Sequence, residues 1–232
     1  MPFETEVIET IQRTSDIKSI RFRKPQGFDY IAGQYALITL GNGTDQMTKH
    51  FTLSSSPTES FLEMTKRLTG HPFANALAGL NVGDKVSMDG PYGSFTFHGE
   101  YDKVGMLSGG IGITPLRSMI RYSIDKKLGT SIILLYSNSH EDNIAFREEL
   151  DEVQRLNAQI KVVDVITRPG PGWKGMTGRI NPEMVKKLVP DYLERTFYTS
   201  GPQKMVDAMV SLLRELKVPE DKIMQEYFPG YD

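Results

Sequence analysis

The apolar pattern changes period once, near Tyr101-Asp102-Lys103, and this limits the fold more than any other feature of the sequence. Before that point, Val7, Ile20, Phe22, Ala36, Ile38 and Leu40 sit in short stretches that alternate apolar and polar residues. Turn-forming clusters separate them: Pro25-Gln26-Gly27, Gly41-Asn42-Gly43 and Asn81-Val82-Gly83-Asp84. Period two puts every second side chain on one face of a strand, and evenly spaced short strands predict an antiparallel barrel or sandwich. One helix, at about residues 73–80, interrupts it. Beyond residue 101, strands at 104–107, 131–136, 161–166, 195–199 and 222–225 alternate with helices at 116–127, 144–156 and 205–216. A further helix opens at Asn181, an N-cap residue type, with Pro182 at its first position. Alternating βα units predict a parallel sheet with helices on both faces. The fold class is therefore β followed by α/β, with domains at residues 1–100 and 101–232.

Composition removes several functions. Basic and acidic side chains number 27 and 29, a net charge of -2, so no strong global field draws DNA, RNA or anionic lipid. No nucleic-acid partner is expected. The lack of cysteine excludes disulfides, iron–sulfur clusters, cysteine-bound zinc and thiol nucleophiles from these residues. His50, His71, His98 and His140 form no ligand pair at metal-site spacing, so no metal is expected. The stretch MPFETEVIETIQ lacks the basic start and apolar run of a signal peptide. No apolar run approaches the roughly 20 residues that span a bilayer. A cytoplasmic protein is the expectation, and Asn42-Gly43-Thr44 is then read as a turn rather than a glycosylation site. Hydrolase chemistry has no support, because both the G-x-S-x-G elbow and the Walker phosphate loop are missing.

The sharpest local signal is Ser108-Gly109-Gly110-Ile111-Gly112-Ile113-Thr114-Pro115, between a strand and a helix. Glycine lets backbone N–H groups approach a ligand with no Cβ in the way. A helix N-terminus adds unpaired donors and partial positive charge. Together these suit a dinucleotide pyrophosphate. A tight strand–helix turn without ligand is the alternative. Pro115 stands where the third glycine of G-x-G-x-x-G would be, and no acidic residue occupies the usual ribose position about 20 residues on. Arg168-Pro169-Gly170-Pro171-Gly172-Trp173 reads as a loop between a strand and a helix, either functional or a connection.

Taken in order, these pieces resemble the ferredoxin–NADP reductase superfamily, in which a flavin-binding β-barrel precedes a nicotinamide-nucleotide-binding α/β domain. The resemblance spans nearly the whole chain. Ala32-Gly33-Gln34-Tyr35 resembles the family's Pro-Gly-Gln-Tyr segment. Lys49-His50-Phe51-Thr52-Leu53-Ser54 resembles its Arg-x-Tyr-Ser/Thr strand. By that likeness Lys49 meets the flavin phosphates, Phe51 lies against the flavin, and the Thr52 hydroxyl bonds near the reactive N5. His50, Leu53 and Ser54 are assigned to the cofactor site with them. Lysine lacks arginine's bidentate fork, and phenylalanine lacks the phenol. Lys66-Arg67 with Gly70-His71-Pro72-Phe73-Ala74-Asn75 resembles the second phosphate contact, assigning Lys66, Gly70, Phe73, Ala74 and Asn75 to the cofactor. Ala74 replaces the family's Ser or Thr, which leaves that contact to backbone N–H groups. Gly90-Pro91-Tyr92-Gly93-Ser94-Phe95 resembles a structural turn of the family.

In the second half, Gly109, Gly110, Gly112, Ile113, Thr114 and Pro115 match the family's pyridine-dinucleotide loop. Asn138, at the end of the next strand, is placed by the likeness at the adenosine ribose. It suits the neutral 2′-hydroxyl of NADH better than the 2′-phosphate of NADPH, while His140 and Arg168 supply nearby positive charge. Ser200-Gly201-Pro202 resembles the family's Cys-Gly-Pro beside the nicotinamide, and Glu226-Tyr227-Phe228 its C-terminal Glu-x-Phe beside the flavin. The tail Pro229-Gly230-Tyr231-Asp232 either covers the ring or frays.

The resemblance implies an NAD(P)H-dependent flavin oxidoreductase using FAD, with FMN the less favoured flavin. The flavin carries the chemistry, and Thr52, Ser200, Glu226 and Phe228 frame the point where nicotinamide and flavin meet. Electrons would pass to a redox acceptor, protein or small molecule, that the sequence does not name. Alternatives are a reductase subunit of a larger complex, a stand-alone reductase of free flavin, and a non-catalytic module on the same fold.

Overall fold

Residues 2–41 and 46–228 are described by a computed structural model. The Asn42-Gly43-Thr44 turn and the tail from Pro229 lie outside the described residues. The period-two positions form one buried face: Val7, Ile20, Phe22, Ala36 and Ile38 are 0% exposed and Leu40 4%. They lie on β1 (Phe3–Gln12), β2 (Ile17–Arg23) and β3 (Tyr35–Leu40). With β4 (Met47–Thr52), β5 (Phe61–Arg67) and β6 (Lys85–Tyr92), these make an antiparallel sheet in the order β4-β3-β6-β1-β2-β5. A Leu53–Met64 bridge, backed by the Ser54 N–H donating to the Glu63 carbonyl at 2.7 Å, joins the chain beyond β4 to β5 and curls the sheet into a barrel. Between β5 and β6, α1 (Pro72–Ala78) places Phe73 and Leu77 in the barrel core.

The second half contains β7 (Lys103–Gly109), α2 (Ile113–Asp125), β8 (Ser131–Asn138), α3 (Arg147–Leu156) and β9 (Ile160–Ile166). It continues with β10 (Met176–Thr177), α4 (Pro182–Leu188), β11 (Thr196–Gly201), α5 (Gln203–Glu215) and β12 (Ile223–Tyr227). All its strands are parallel, in the order β10-β9-β8-β7-β11-β12. Ile132 and Leu134 pack with Leu116 and Leu150 from α2 and α3 on one face. Ile133 and Leu135 pack with Val185 and Leu213 from α4 and α5 on the other. Helices therefore cover both faces, as alternating βα units require. Among the described residues no helix is long and apolar enough to cross a membrane.

Three local expectations change. Helix α2 starts at Ile113 rather than 116, because a 3-10 turn over Gly110–Gly112 feeds directly into it. Helix α3 starts at Arg147 rather than 144, because Phe146 adopts φ 60°, a left-handed conformation that breaks any helix running through it. The Arg168–Trp173 loop leads into the short strand β10, not directly into a helix. Asn181 does cap α4: its side chain accepts from the Met184 N–H at 2.9 Å.

Candidate active site

A cavity of about 540 Å³ lies between β4, β5, α1 and the turn after β7. Phe51 and Phe73 stack in its wall, with centroids 5.4 Å apart and planes at 28°. Lys66 Nζ sits 5.5 Å from the Phe51 centroid. Burial first, and the nearby Lys49 charge second, hold the Lys66 pKa below its ordinary value. Two mutually repelling ammonium groups on a partly dry wall favour a bound anion between them. Thr52 Oγ1 donates to Glu226 Oε2 at 3.4 Å, across the gap between barrel and parallel sheet. Burial lifts the Glu226 carboxyl to about 7, the Thr52 hydrogen bond acting weakly the other way. Phe228 lines the cavity, and its N–H donates to the Gly201 carbonyl at 2.8 Å.

A second polar region adjoins the first at the carboxyl ends of the parallel strands. The strand order reverses here: β8 lies on one side of β7 and β11 on the other, which makes this the sheet's switch point. Register partners form one row across the sheet: Asp164, Tyr136, Ser108, Ser200 and Glu226, on β9, β8, β7, β11 and β12. The glycine turn lies against this row. Gly110 has φ +53°, and a Cβ on Gly112 would lie 2.1 Å from the Ser200 carbonyl oxygen. No side chain fits there, so the turn rests directly on β11. Asn138 is 4% exposed, and neither its amide nitrogen nor its oxygen has a hydrogen-bond partner. Buried amides are almost always paired, so this orphan points to a ligand. Burial, then the Asp151 charge, raises Asp164 to about 6 against the pull of Arg147.

The residues singled out in the sequence therefore form two adjoining groups. Lys49, His50, Phe51, Thr52, Lys66, Phe73, Ala74, Thr114 and Phe228 line the cavity. Gly109, Gly110, Gly112, Ser200, Gly201 and Pro202 gather at the ends of β7 and β11. Asn138 ends β8 beside them. The remaining residues do not line the cavity. Leu53 packs in the barrel core, and Ser54 Oγ donates to Glu63 Oε1 at 2.9 Å. Asn75 donates to the Gly70 carbonyl at 3.0 Å, and both residues are exposed. Ile113 belongs to the core of the α/β half, and Pro115 is buried in the first turn of α2. Leu37 and Thr65 also line the cavity but were not singled out. Leu37 is out of phase with the core residues Ala36 and Ile38, so its outward direction was readable from period two. Thr65 carries no such signal.

The cavity offers an aromatic wall, flanking ammonium groups and a hydroxyl–carboxyl pair, and the switch point offers a Cβ-free cradle with an unpaired amide. The first set fits a flavin with its phosphates, the second a dinucleotide. Comparison with known proteins bears on the two halves as domains. The oxidoreductase FAD-binding domain model matches residues 4–97, and the oxidoreductase NAD-binding domain model matches residues 106–211. The chain belongs to the ferredoxin–NADP reductase superfamily, and its cofactors are FAD and NAD(P)H. It is 32% identical over 217 residues to the glycine betaine monooxygenase reductase subunit of Chromohalobacter salexigens, covering 89% of this chain and 59% of that protein. The chain thus spans well under two thirds of that relative's length. NADH-cytochrome b5 reductase 1 of Ajellomyces capsulatus is 27% identical, covering 90% of this chain and 73% of its own. The flavohem-like FAD/NAD-binding domain of a nitric oxide dioxygenase from Vibrio cholerae O1 biovar El Tor shares the fold. Its TM-score is 0.88 at 19% identity, over 97% of this chain and 98% of that one.

Proposed function

We propose that this chain is a reductase that draws electrons from NAD(P)H through bound FAD and delivers them to a separate redox protein. The observation that carries this reading is the juxtaposition of the cavity with the glycine turn. Thr114 and Phe228, from the α/β half, line the same cavity as Thr52 and Phe51 from the barrel. FAD held there would supply the chemistry of accepting a hydride and passing electrons onward, while the protein's residues bind and orient it. Lys49 and Lys66, on the cavity wall, would hold the flavin phosphates by charge, and Phe51 would pack against the flavin. Thr52 and Glu226 keep a hydroxyl and a proton-exchanging carboxyl at the meeting point of the two halves. With a pKa of about 7, Glu226 can hold or yield a proton near neutral pH.

NADH is the favoured donor. The Asn138 amide retains both a donor and an acceptor, which match a neutral ribose hydroxyl better than a phosphate dianion. The acceptor is proposed to be a protein, by analogy with the relatives named as a monooxygenase reductase subunit and a cytochrome b5 reductase. These 232 residues have no cysteine to ligate an iron–sulfur cluster, so such a centre would belong outside this sequence. An anaerobic absorbance titration of the FAD-loaded protein, first with NADH and then with NADPH, tests the reading. Bleaching of the flavin by stoichiometric NADH is expected. A flavin band left intact by both nucleotides would overturn it.

A further inference from the structure

Three consecutive carbonyls of the turn between β7 and α2 each accept a hydrogen bond from a side-chain hydroxyl. Tyr136 Oη donates to the Gly110 carbonyl at 2.8 Å, Thr114 Oγ1 to that of Ile111 at 3.2 Å, and Ser200 Oγ to that of Gly112 at 2.7 Å. The hydroxyls come from three different elements: β8, α2 and β11.

Glycine turns have a defect as anion sites. Without Cβ atoms their peptide planes rotate easily, and a rotated plane presents a carbonyl oxygen to the ligand instead of an N–H. An N–H attracts a phosphate and a carbonyl repels it. A carbonyl held by a hydroxyl cannot rotate outward without breaking that bond. Of the three hydroxyls, that of Tyr136 is carried by the largest side chain. Its ring is 0% exposed and packs in the core shared with α2 and α3, so it cannot follow a moving turn. Burial also raises the phenol pKa, which keeps Tyr136 a donor. Gly110, the residue it holds, has φ +53°, in the region where glycine is most at ease.

We propose that Tyr136, assisted by Thr114 and Ser200, is a positioning residue for the pyridine nucleotide: it ties the turn's carbonyls to the protein so that the N–H groups face the pyrophosphate. This deepens the reading of the turn as the NAD(P)H site and rests on it. Tyr136 does not touch the nucleotide; it acts through Gly110.

Tyr136→Phe removes the donor and keeps the ring. ADP-ribose, which carries the pyrophosphate but no nicotinamide, is the calorimetric probe, with adenosine as the phosphate-free control. In the FAD-loaded protein, Tyr136→Phe is expected to weaken ADP-ribose binding roughly three- to tenfold, the size of one net hydrogen bond. The NADH KM should rise by the same factor, with adenosine affinity, flavin content and kcat at wild-type values. Combining it with Ser200→Ala should weaken ADP-ribose further than either change alone. Unchanged ADP-ribose affinity, or an equal loss for adenosine, overturns the proposal. Failure of the wild-type protein to bind ADP-ribose at all would instead sink the reading of the turn as the nucleotide site, and the proposal with it. A variant that melts well below wild type is replaced by Tyr136→Met, which also lacks the hydroxyl and for which the same losses are required.

Discussion

Burial places the Glu226 carboxyl near 7 instead of its ordinary 4.5, and Asp164 near 6 instead of 3.8. A folded-state pKa above the unfolded value means the protonated form is the one the fold accommodates. The associated stability is fully present below pH 4.5 for Glu226, and it is lost as pH rises through 7. A shift of this size corresponds to roughly 3 kcal/mol. The flavin-free protein should therefore lose stability between pH 5 and pH 8, and Glu226→Gln should remove most of that slope. Thermal melts across the range check this; an equal slope in wild type and variant would mean that Glu226 is not the titrating group. Thr52 was recognisable from its strand motif, and Glu226 from its position before Phe228. Their contact was not, because the two lie 174 residues apart and meet only through tertiary packing. The same holds for Tyr136 and Gly110, whose sequence pattern gives no hint of a phenol beneath the turn.

Elements were more legible than contacts, for a physical reason. Period-two and period-3.6 apolar patterns report which face is buried, and that is settled within each element. The barrel strands, the parallel sheet and the Asn181 cap all followed from local signals, while the strand order did not. Element ends did not, where tertiary structure imposes a special backbone conformation: Phe146 halts α3 with φ 60°, and its ring lies 4.6 Å from the guanidinium of Arg13 in the barrel. The glycine turn is tightly constrained in sequence. Gly112→Ala would drive a Cβ into the Ser200 carbonyl, 2.1 Å away, which is backbone and cannot swing aside. The turn must then separate from β11. A loss of about 2 kcal/mol or more in stability is expected, as for other overpacked sites, together with at least a tenfold rise in the NADH KM. Gly172→Ala is the control, since nothing lies within 4 Å of its added Cβ. Denaturant titration and steady-state kinetics on the pair would separate the two, and equal behaviour would mean the turn yields more easily than its contacts imply.

Across the whole molecule, the two halves are joined by a buried charge network that neither half forms alone. Arg117, on α2, is 3% exposed. Its guanidinium donates to the Ser54 carbonyl at 2.9 Å and to Glu149 Oε1 at 2.9 Å, and it forks onto Glu59. Ser118, the next residue, donates to the Ser55 carbonyl at 2.6 Å. Burial alone would lower the Arg117 pKa, but the Glu59 hydrogen bond and the charges of Glu149, Glu59 and Glu63 outweigh it and hold the guanidinium above its ordinary value. Arg117 stands three residues after Thr114 and grips the chain two residues after Thr52, so it ties together the two sides of the proposed site. Arg117→Met leaves Glu59 and Glu149 without their shared cation, a change that costs about 3–5 kcal/mol when a buried pair is broken. Arg117→Lys keeps the charge but lacks the planar fork needed to reach three acceptors together, so its loss should be intermediate. Because the network sets the spacing between the halves rather than touching either cofactor, flavin reduction at saturating NADH should slow in both variants while the NADH KM stays close to wild type. Stopped-flow reduction together with denaturant unfolding reads both effects. A large fall in stability with an unaltered reduction rate would show that Arg117 holds the fold together without setting the geometry of electron transfer.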